Sequence, residues 1–326
     1  MSKKIIFTNG LIDLAQPRLG SKVIFKTDDF FASAKRIIEP TAPVFKDGLF
    51  DQNGKWMDGW ESRRKRTPGH DYLIIKLGKP GSISKVDVDT SHFNGNQPSM
   101  ISIEASNSKS NNIKNFKWKT LVGKKKTKAN CQHIFKTSSK SVFTHIKLNI
   151  FPDGGVARLR LYGSISKKDN NFGKKTINLA SLLDGASVIA CNNEHFGKAE
   201  NILAPGKAKN MGDGWETARR RVPGNEWIIV KLGVPGVIER IEVDTAHFKG
   251  NYPGGCSLQA AFMPNLGKDA IVTQAMFWDE VLAYEPLTAD AIHPFQVGSD
   301  APVTHVKLNT YPDGGISRLR IFGKAI

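Results

Sequence analysis

The stretch DYLIIKLGKPGSISKVDVDTSHF, at residues 71–93, has the pattern of two β-strands separated by a turn. It starts with a short apolar run, passes through Gly-Lys-Pro-Gly at 78–81, and then alternates apolar and polar residues from Ile83 to Val88. Glycine and proline favour turns, and alternation is typical of a half-buried strand. The stretch EWIIVKLGVPGVIERIEVDTAHF, at 226–248, repeats the pattern. We therefore predict strand, Gly/Pro turn and strand at both places.

This repetition extends over the chain. Residues 58–98 align with 213–253 without a gap and share 23 of 41 residues, and 144–163 share 13 of 20 residues with 304–323. The aligned blocks follow the same order in both halves, and a period of about 160 residues is too long for a solenoid. The chain is therefore a tandem duplication. The predicted boundaries are 1–163 for the first domain, 164–176 for a polar linker and 177–326 for the second domain.

Strand and turn signals dominate both halves. Pro-Asp-Gly-Gly, at 152–155 and at 312–315, separates two apolar strands in each half. Only the block near 28–38 has a helical pattern, with Asp28 as the expected cap and Asn193 in the same role in the second half. Short strands joined by turns, without helices between them, favour antiparallel sandwiches. The predicted fold class is all-β, with two tandem jelly-roll β-sandwich domains.

The composition narrows the class of protein. Hydrophobic residues make up 40% of the 326 positions, enough to fill the cores of two domains. There is no apolar run of about 18 residues, and the start of the chain lacks the apolar core of a signal peptide, so no membrane partner is expected. Cys131, Cys191 and Cys256 are far apart and form no Cys-x-x-Cys pair. Reduced thiols and a cytoplasmic location are therefore expected.

The net charge of +17 raises the alternative of nucleic-acid binding, which would make affinity strongly salt-dependent. Residues 109–128 hold eight lysines and no acid, whereas the matching stretch 264–290 holds five acids and one lysine. A function shared by both copies would keep the charge in both. We therefore interpret the lysines as a solvated surface that can attract small anions, and expect no nucleic-acid partner.

Some charged residues recur in both halves although a folding core does not require them. DGWESRRKRTPG, at 58–69, is matched by DGWETARRRVPG at 213–224. Two arginines suit bidentate binding of a carboxylate, and the alternative is a loop held by salt bridges to the glutamate. The recurring residues are Glu61, Arg64, Arg66, Glu216, Arg219 and Arg221.

A second recurring group closes a strand and enters a Gly-Asn turn. DTSHFNGN, at 89–96, is matched by DTAHFKGN at 244–251. A histidine beside a loop is suited to acid–base chemistry, and the aspartate could orient it or join it as a metal ligand, although no third ligand is evident. The alternative is an aspartate that orients a purely structural histidine. The residues concerned are Asp89, His92, Asn96, Asp244, His247 and Asn251.

Four stretches of the sequence resemble the allantoicase family, and the resemblance covers almost the whole chain, including the duplication. The stretches are 211–253, 305–323, 28–40 and 55–66. The resemblance implies two jelly-roll sandwiches of galactose-binding-like type. It also implies hydrolysis of allantoate to ureidoglycolate and urea, a step in purine (allantoin) degradation and nitrogen recovery. The alternative function is a non-catalytic ligand-binding module of the same fold.

Side-chain chemistry then gives the recurring residues expected roles. Arginine forks would bind the carboxylate of allantoate, and a carboxylate and an imidazole would supply acid–base chemistry. A homo-oligomer is expected, no cofactor is certain, and a divalent metal on Asp89 and His92 stays open, as does the question of which half is active. The catalytic candidates are Glu61, Asp89, His92, Glu216, Asp244 and His247, and the substrate-binding candidates are Arg64, Arg66, Asn96, Arg219, Arg221 and Asn251.

Overall fold

The computed structural model describes residues 5–8, 10–110, 112–166, 172–173 and 175–326. The chain forms two compact units, one of Ile12–Ser166 and one of Lys167–Ile326 together with Met1–Leu11. Strand β1 (Ile6–Phe7) therefore belongs with the second repeat, where it pairs with the strand Ser187–Cys191. Much of the predicted linker, at 167–171 and 174, lies outside the described residues.

Each unit is built almost entirely from strands. The first unit contains β2 (Ile12–Asp13), β3 (Lys22–Lys26), β4 (Phe50–Asp51), β5 (Gly54–Lys55), β6 (Trp60–Glu61), β7 (Asp71–Asp89), β8 (Met100–Ser106), β9 (Lys119–Lys126), β10 (Gln132–Lys136), β11 (Phe143–Phe151), β12 (Gly155–Val156) and β13 (Arg158–Ile165). The second unit contains β14 (Thr176–Asn178), β15 (Ser187–Cys191), β16 (Trp215–Glu216), β17 (Glu226–Asp244), β18 (Gly255–Ala261), β19 (Asp279–Pro286), β20 (Ile292–Gln296), β21 (Pro302–Tyr311), β22 (Gly315–Ile316) and β23 (Arg318–Ala325).

Helices are short. The α-helix among the described residues is α1 (Lys268–Gln274). The 3₁₀ turns are Pro17–Leu19, Ala34–Ile38, Ile113–Asn115, Leu182–Asp184, Ala199–Leu203, Met211–Asp213 and Ala275–Phe277.

One long strand organises each unit. The first part of β7 pairs with β3 and β11, and its last part pairs with β10 and β13. The pairing gives the orders β3-β7-β11-β8-β9 and β10-β7-β13-β2, and every pair is antiparallel. In the second unit β17 does the same, with the orders β15-β17-β21-β18-β19 and β20-β17-β23-β14. The predicted fold class is confirmed: the chain is all-β, with two tandem jelly-roll β-sandwich domains.

The predicted Gly/Pro turn within 71–93 is wrong, because β7 runs unbroken from Asp71 to Asp89. Gly78 and Gly81 do not reverse the chain. They allow neighbouring backbone segments to approach the strand closely. A Cβ added at Gly78 would lie 2.0 Å from the carbonyl oxygen of Leu19, and one at Gly81 would lie 2.5 Å from that of Ser164. The strand can therefore change pairing partners at this point, where its partner β11 also shifts register.

The helical prediction near 28–38 needs a correction in its cap. The segment is the 3₁₀ turn Ala34–Ile38, and the backbone N–H of Ala34 donates to Asp29 Oδ2 at 3.3 Å. In the second unit, the N–H of Ala199 donates to Glu194 Oε1 at 2.7 Å. Asp28 is not the cap, because its carboxylate binds the backbone and guanidinium of Arg63.

A tight packing point lies where β12 meets the core of the first unit. The Phe93 ring is fully buried, and a Cβ added at Gly155 would lie 2.0 Å from it. The backbone N–H of Gly155 also donates to the carbonyl oxygen of Asn96 at 2.7 Å. Any side chain at 155 must therefore push these segments apart.

We predict that Gly155→Ala lowers the free energy of unfolding by about 1–3 kcal/mol through overpacking. Urea denaturation followed by circular dichroism measures the change. Gly123→Ala is the matched control, because nothing lies within 4 Å of a Cβ at Gly123 in β9. Equal stability of the two variants would contradict the packing role of Gly155.

Candidate active site

A glutamate and an asparagine from the two recurring motifs meet in the first unit. Glu61 is the last residue of β6, whose backbone pairs with β12 and with Ala32. Asn96 Nδ2 donates to Glu61 Oε1 at 2.8 Å, across 35 residues of chain. The Gly155 N–H bond to the Asn96 carbonyl holds the asparagine in place. The structure therefore brings together two of the predicted site residues.

The second unit repeats this geometry. Asn251 Nδ2 donates to Glu216 Oε1 at 2.6 Å, and the N–H of Gly315 donates to the carbonyl oxygen of Asn251 at 2.8 Å. Glu216 ends β16, which pairs with β22 and with Phe196. The same glutamate–asparagine pair is therefore built twice in one chain.

The pair leaves one carboxylate oxygen available in each unit. Neither Glu61 Oε2 nor Glu216 Oε2 has a hydrogen-bond partner among the residues that the structure describes. Glu61 is half-buried, and burial raises the pKa of its carboxyl, against the smaller opposing effect of the Asn96 hydrogen bond. A carboxylate with a raised pKa is a better base than an exposed one.

The four predicted arginines are exposed. Within the described part of the chain, Arg64, Arg66, Arg219 and Arg221 form no side-chain hydrogen bond or ion pair. They flank a basic residue that points the other way, into the fold. In the first unit, Lys65 Nζ lies 2.9 Å from Asp71 Oδ1.

The inward residue fixes the stretch that carries the free arginines. The backbone N–H of Lys65 donates to Asp153 Oδ2 at 2.7 Å. In the second unit, Arg220 Nη1 lies 3.1 Å from Glu226 Oε1, and its N–H donates to Asp313 Oδ2 at 2.7 Å. A salt bridge does hold the loop, but it uses this middle residue and not Glu61. This salt bridge was not predicted from the sequence, although a basic residue six positions before an acid occurs in both halves.

Both predicted histidines adopt a left-handed backbone, with φ of 68° at His92 and 71° at His247. That conformation costs roughly 1–2 kcal/mol for a residue with a Cβ, so glycine would be the easier choice. The strained turn is held by a side chain that the sequence analysis missed. The N–H of His92 donates to Asn130 Oδ1 at 2.9 Å, and that of His247 donates to Asp290 Oδ1 at 2.6 Å.

Each imidazole is anchored through one nitrogen. His92 Nε2 lies 3.4 Å from the carbonyl oxygen of Pro43, and His247 Nε2 lies 2.9 Å from that of Ala208. A carbonyl oxygen accepts, so Nε2 carries the hydrogen in this arrangement. The Nδ1 atom is then left as the acceptor, and it has no partner among the described residues.

The expected orientation of histidine by aspartate requires a correction. Asp89 Oδ1 accepts the backbone N–H of Ser91 at 2.8 Å, and Asp244 Oδ1 accepts that of Ala246 at 2.7 Å. Both aspartates are buried at the strand end. Neither carboxylate bonds the nearby imidazole within the described residues, because each is used to close its own turn.

Asp244 lines a small cavity of about 210 Å³ together with Glu242, Arg318 and Arg320. The Arg318 guanidinium is buried and bonds Asp213 Oδ2 at 2.8 Å as well as several backbone carbonyls. In the first unit, Arg158 bonds Asp58 Oδ2 at 2.7 Å in the same way. These arginines are therefore occupied in anchoring loops.

The loops over the two histidines differ in length. Residues 41–57 in the first unit correspond to 206–212 in the second, a difference of ten residues. The longer loop contains the β4–β5 hairpin, and its Phe45 ring stacks on His92 with centroids 5.8 Å apart. Both histidines are partly buried, and His92 has in addition an aromatic ring from this longer loop stacked on it.

Among the described residues, no group of three or more His, Cys, Asp or Glu side chains is arranged to hold a metal ion. In the same part of the chain, no helix is both long and apolar enough to cross a membrane.

Comparison with known proteins agrees with the duplication of the chain. The family model for the allantoicase repeat matches residues 12–166 and again 177–326. A probable allantoicase of Pseudomonas fluorescens (strain Pf0-1) is 50% identical over 317 residues, covering 96% of each chain. One from Photobacterium profundum is 49% identical over 316 residues, again covering 96% of each chain.

A solved structure extends the likeness to the fold. The crystal structure of allantoicase from Saccharomyces cerevisiae matches with a TM-score of 0.83 and 35% identity, over 97% of this chain and 94% of that one. Because the repeat model matches both halves and the relatives are similar over nearly their full length, this chain belongs to the allantoicase family.

Proposed function

We propose that this chain hydrolyses allantoate to ureidoglycolate and urea, and that each repeat carries one site. Family membership supports the reaction, and the observation that carries the site is the Glu–Asn pair formed in both units. The chain is a hydrolase that acts on the C–N bonds of a linear amidine. Its substrate is a small anion with one carboxylate and two ureido groups.

The free arginines suit the substrate carboxylate. Arg64 and Arg66 in the first unit, and Arg219 and Arg221 in the second, are exposed and unpaired within the described residues. Guanidinium groups bind carboxylates in bidentate fashion, and the anchored Lys65 or Arg220 between them limits how far the stretch can move.

The reaction needs a base for water and an acid for the departing nitrogen. In our scheme Glu61 takes a proton from water, whose oxygen bonds to the central carbon. The C–N bond to one ureido group breaks, its electron pair stays with nitrogen, and protonated His92 delivers a proton to that nitrogen, so urea leaves. Asn96 holds Glu61 through Nδ2, and its side-chain oxygen Oδ1 is available for a ureido N–H. Glu216, His247 and Asn251 take these roles in the second unit.

In this scheme Asp89 and Asp244 take no part in the proton transfers. Each closes the turn that presents the histidine, through its bond to Ser91 or Ala246. We also propose a cytoplasmic location, because Cys131, Cys191 and Cys256 are free thiols, as suits a reducing compartment.

Removal of the two glutamate carboxylates tests the proposed base. Purified protein incubated with allantoate should release urea, and Glu61→Gln or Glu216→Gln alone should each lose about half of the turnover if the sites act independently. The double variant should lose about 100-fold or more, because the base is gone from both sites. A colorimetric urea assay measures this. Full turnover by the folded double variant would exclude the glutamates as the base. If wild-type protein releases no urea, the proposed hydrolysis of allantoate is excluded.

The pH dependence follows from the pKa of Glu61. In the Glu216→Gln variant only the first site has its base, and a base is lost as pH falls through its pKa. Because burial raises the pKa of Glu61 above 4.5, turnover should be half-lost at a pH above 4.5 and recover as pH rises. Steady-state kcat between about pH 4 and 8 measures this limb. Turnover that stays flat down to pH 4.5 would contradict the assignment.

The arginine prediction separates binding from chemistry. Arg64→Lys with Arg66→Lys, made in the Glu216→Gln background, keeps the charge but removes the bidentate fork. KM for allantoate should rise about tenfold or more, with a smaller change in kcat. Lys22→Gln, which removes an exposed charge from β3, is the control and should change neither constant. An unchanged KM in the double-lysine variant would remove these residues from the site.

The histidine prediction distinguishes an acid from a structural residue. His92→Ala with His247→Ala should lower kcat by about 100-fold, whereas His92→Gly with His247→Gly should lower kcat equally and relieve the left-handed backbone strain. Urea denaturation checks that the glycine variant is at least as stable as the alanine one. Normal turnover in the glycine variant would leave the imidazoles without a chemical role.

A further inference from the structure

In each unit, one of the two strand orders ends in an edge strand. The two edge strands occupy equivalent positions in the two units. β9 is the last strand beside β8, and β19 is the last strand beside β18. Each edge has eight residues and the same register irregularities: Val122 lies opposite Ile103, as Leu282 lies opposite Leu258. We can therefore compare the two edges position by position.

The burial of the two edges is also the same. Val122 and Leu282 are the buried residues, and the flanking positions are mostly exposed. Small residues, Gly123 and Ala283, follow the buried position, and a Cβ at Gly123 would have nothing within 4 Å. Within the described residues, β9 pairs with β8 alone and β19 pairs with β18 alone, so one side of each edge backbone forms no strand pairing.

The charges of the two edges are opposite. Lys119 matches Asp279, and Lys125 matches Glu285, at equal places in the strand. None of the charged side chains of the two edges forms an ion pair within the described residues, although Lys124 lies over the Phe151 ring. The full sets are Lys119, Lys124, Lys125 and Lys126 on β9, and Asp279, Glu280 and Glu285 on β19.

We propose that these edges bind each other between copies of the chain, with β9 of one copy against β19 of another. Exposed edge strands tend to pair with other chains, and charge determines which edges can meet. Two lysine edges repel, and two acidic edges repel, so only the unlike pair is attractive. The contact is head-to-tail, and contacts of this kind build rings where the rotation closes and open filaments where it does not.

Lysines on an edge strand can also serve to prevent pairing. That role would place lysines on both edges, since both are equally accessible. Acidic residues on the second edge instead create a binding partner for the first. The charge difference between the halves, which the shared site does not need, then has a function in assembly.

Charge reversal tests the contact. One variant carries Lys124→Glu, Lys125→Glu and Lys126→Glu, and the other carries Asp279→Lys, Glu280→Lys and Glu285→Lys. Sedimentation velocity and light scattering at low ionic strength should find the wild type assembled and each variant at least about 100-fold weaker in self-association. An equimolar mixture of the two variants should assemble again, because each edge then meets its opposite.

The matched control for the lysine variant carries Lys22→Glu, Lys35→Glu and Lys175→Glu, which change the net charge by the same amount at exposed positions outside β9. It should assemble like the wild type, and salt from about 0.05 to 0.5 M should weaken wild-type assembly. Circular dichroism checks that all variants are folded. A monomeric wild type, unchanged assembly of either variant, or a mixture that fails to reassemble would overturn the proposal.

Discussion

The site depends on the close approach of three chain segments at Gly155, and at Gly315 in the second unit. The glycine N–H bonds the carbonyl of Asn96 or Asn251, while the strand that contains it pairs with the glutamate strand. A side chain at either glycine would collide with the ring of Phe93 or Phe248. This packing brings the Asn amide to the Glu carboxylate, and the adjacent Asp153 or Asp313 fixes the arginine stretch. One tight turn therefore positions residues from distant parts of each repeat.

The fold was largely predictable because its signals are local and occur twice. Alternating strands, turn residues and internal identity all indicate a duplicated all-β chain. The unbroken course of β7 was not predictable, because glycines such as Gly78 and Gly81 are typical of turns. Here they allow close contacts with Leu19 and Ser164. Those contacts join residues far apart in sequence, and a local pattern does not contain them.

The candidate site was predictable in its residue types but not in its pairings. Glu61 and Asn96 stood out because they recur, yet their mutual bond comes from tertiary structure. Asp89 was expected to orient His92, but a short polar side chain at a strand end bonds its own turn more readily. Asn130, which does hold the histidine turn, belongs to a different loop. The spacing of residues in a motif therefore did not indicate which of them touch.

Duplication has kept the centre of each unit and changed its periphery. The Glu–Asn pair and the left-handed histidine are the same in both units, whereas the covering loop and the charge of the edge strand differ. We propose that allantoate binds at the Glu–Asn pair of each repeat. A crystal structure of the Glu61→Gln, Glu216→Gln variant soaked with allantoate tests this. We expect the substrate carboxylate on Arg64 and Arg66, and on Arg219 and Arg221. Allantoate bound instead in the cavity beside Arg318 and Arg320 would contradict it.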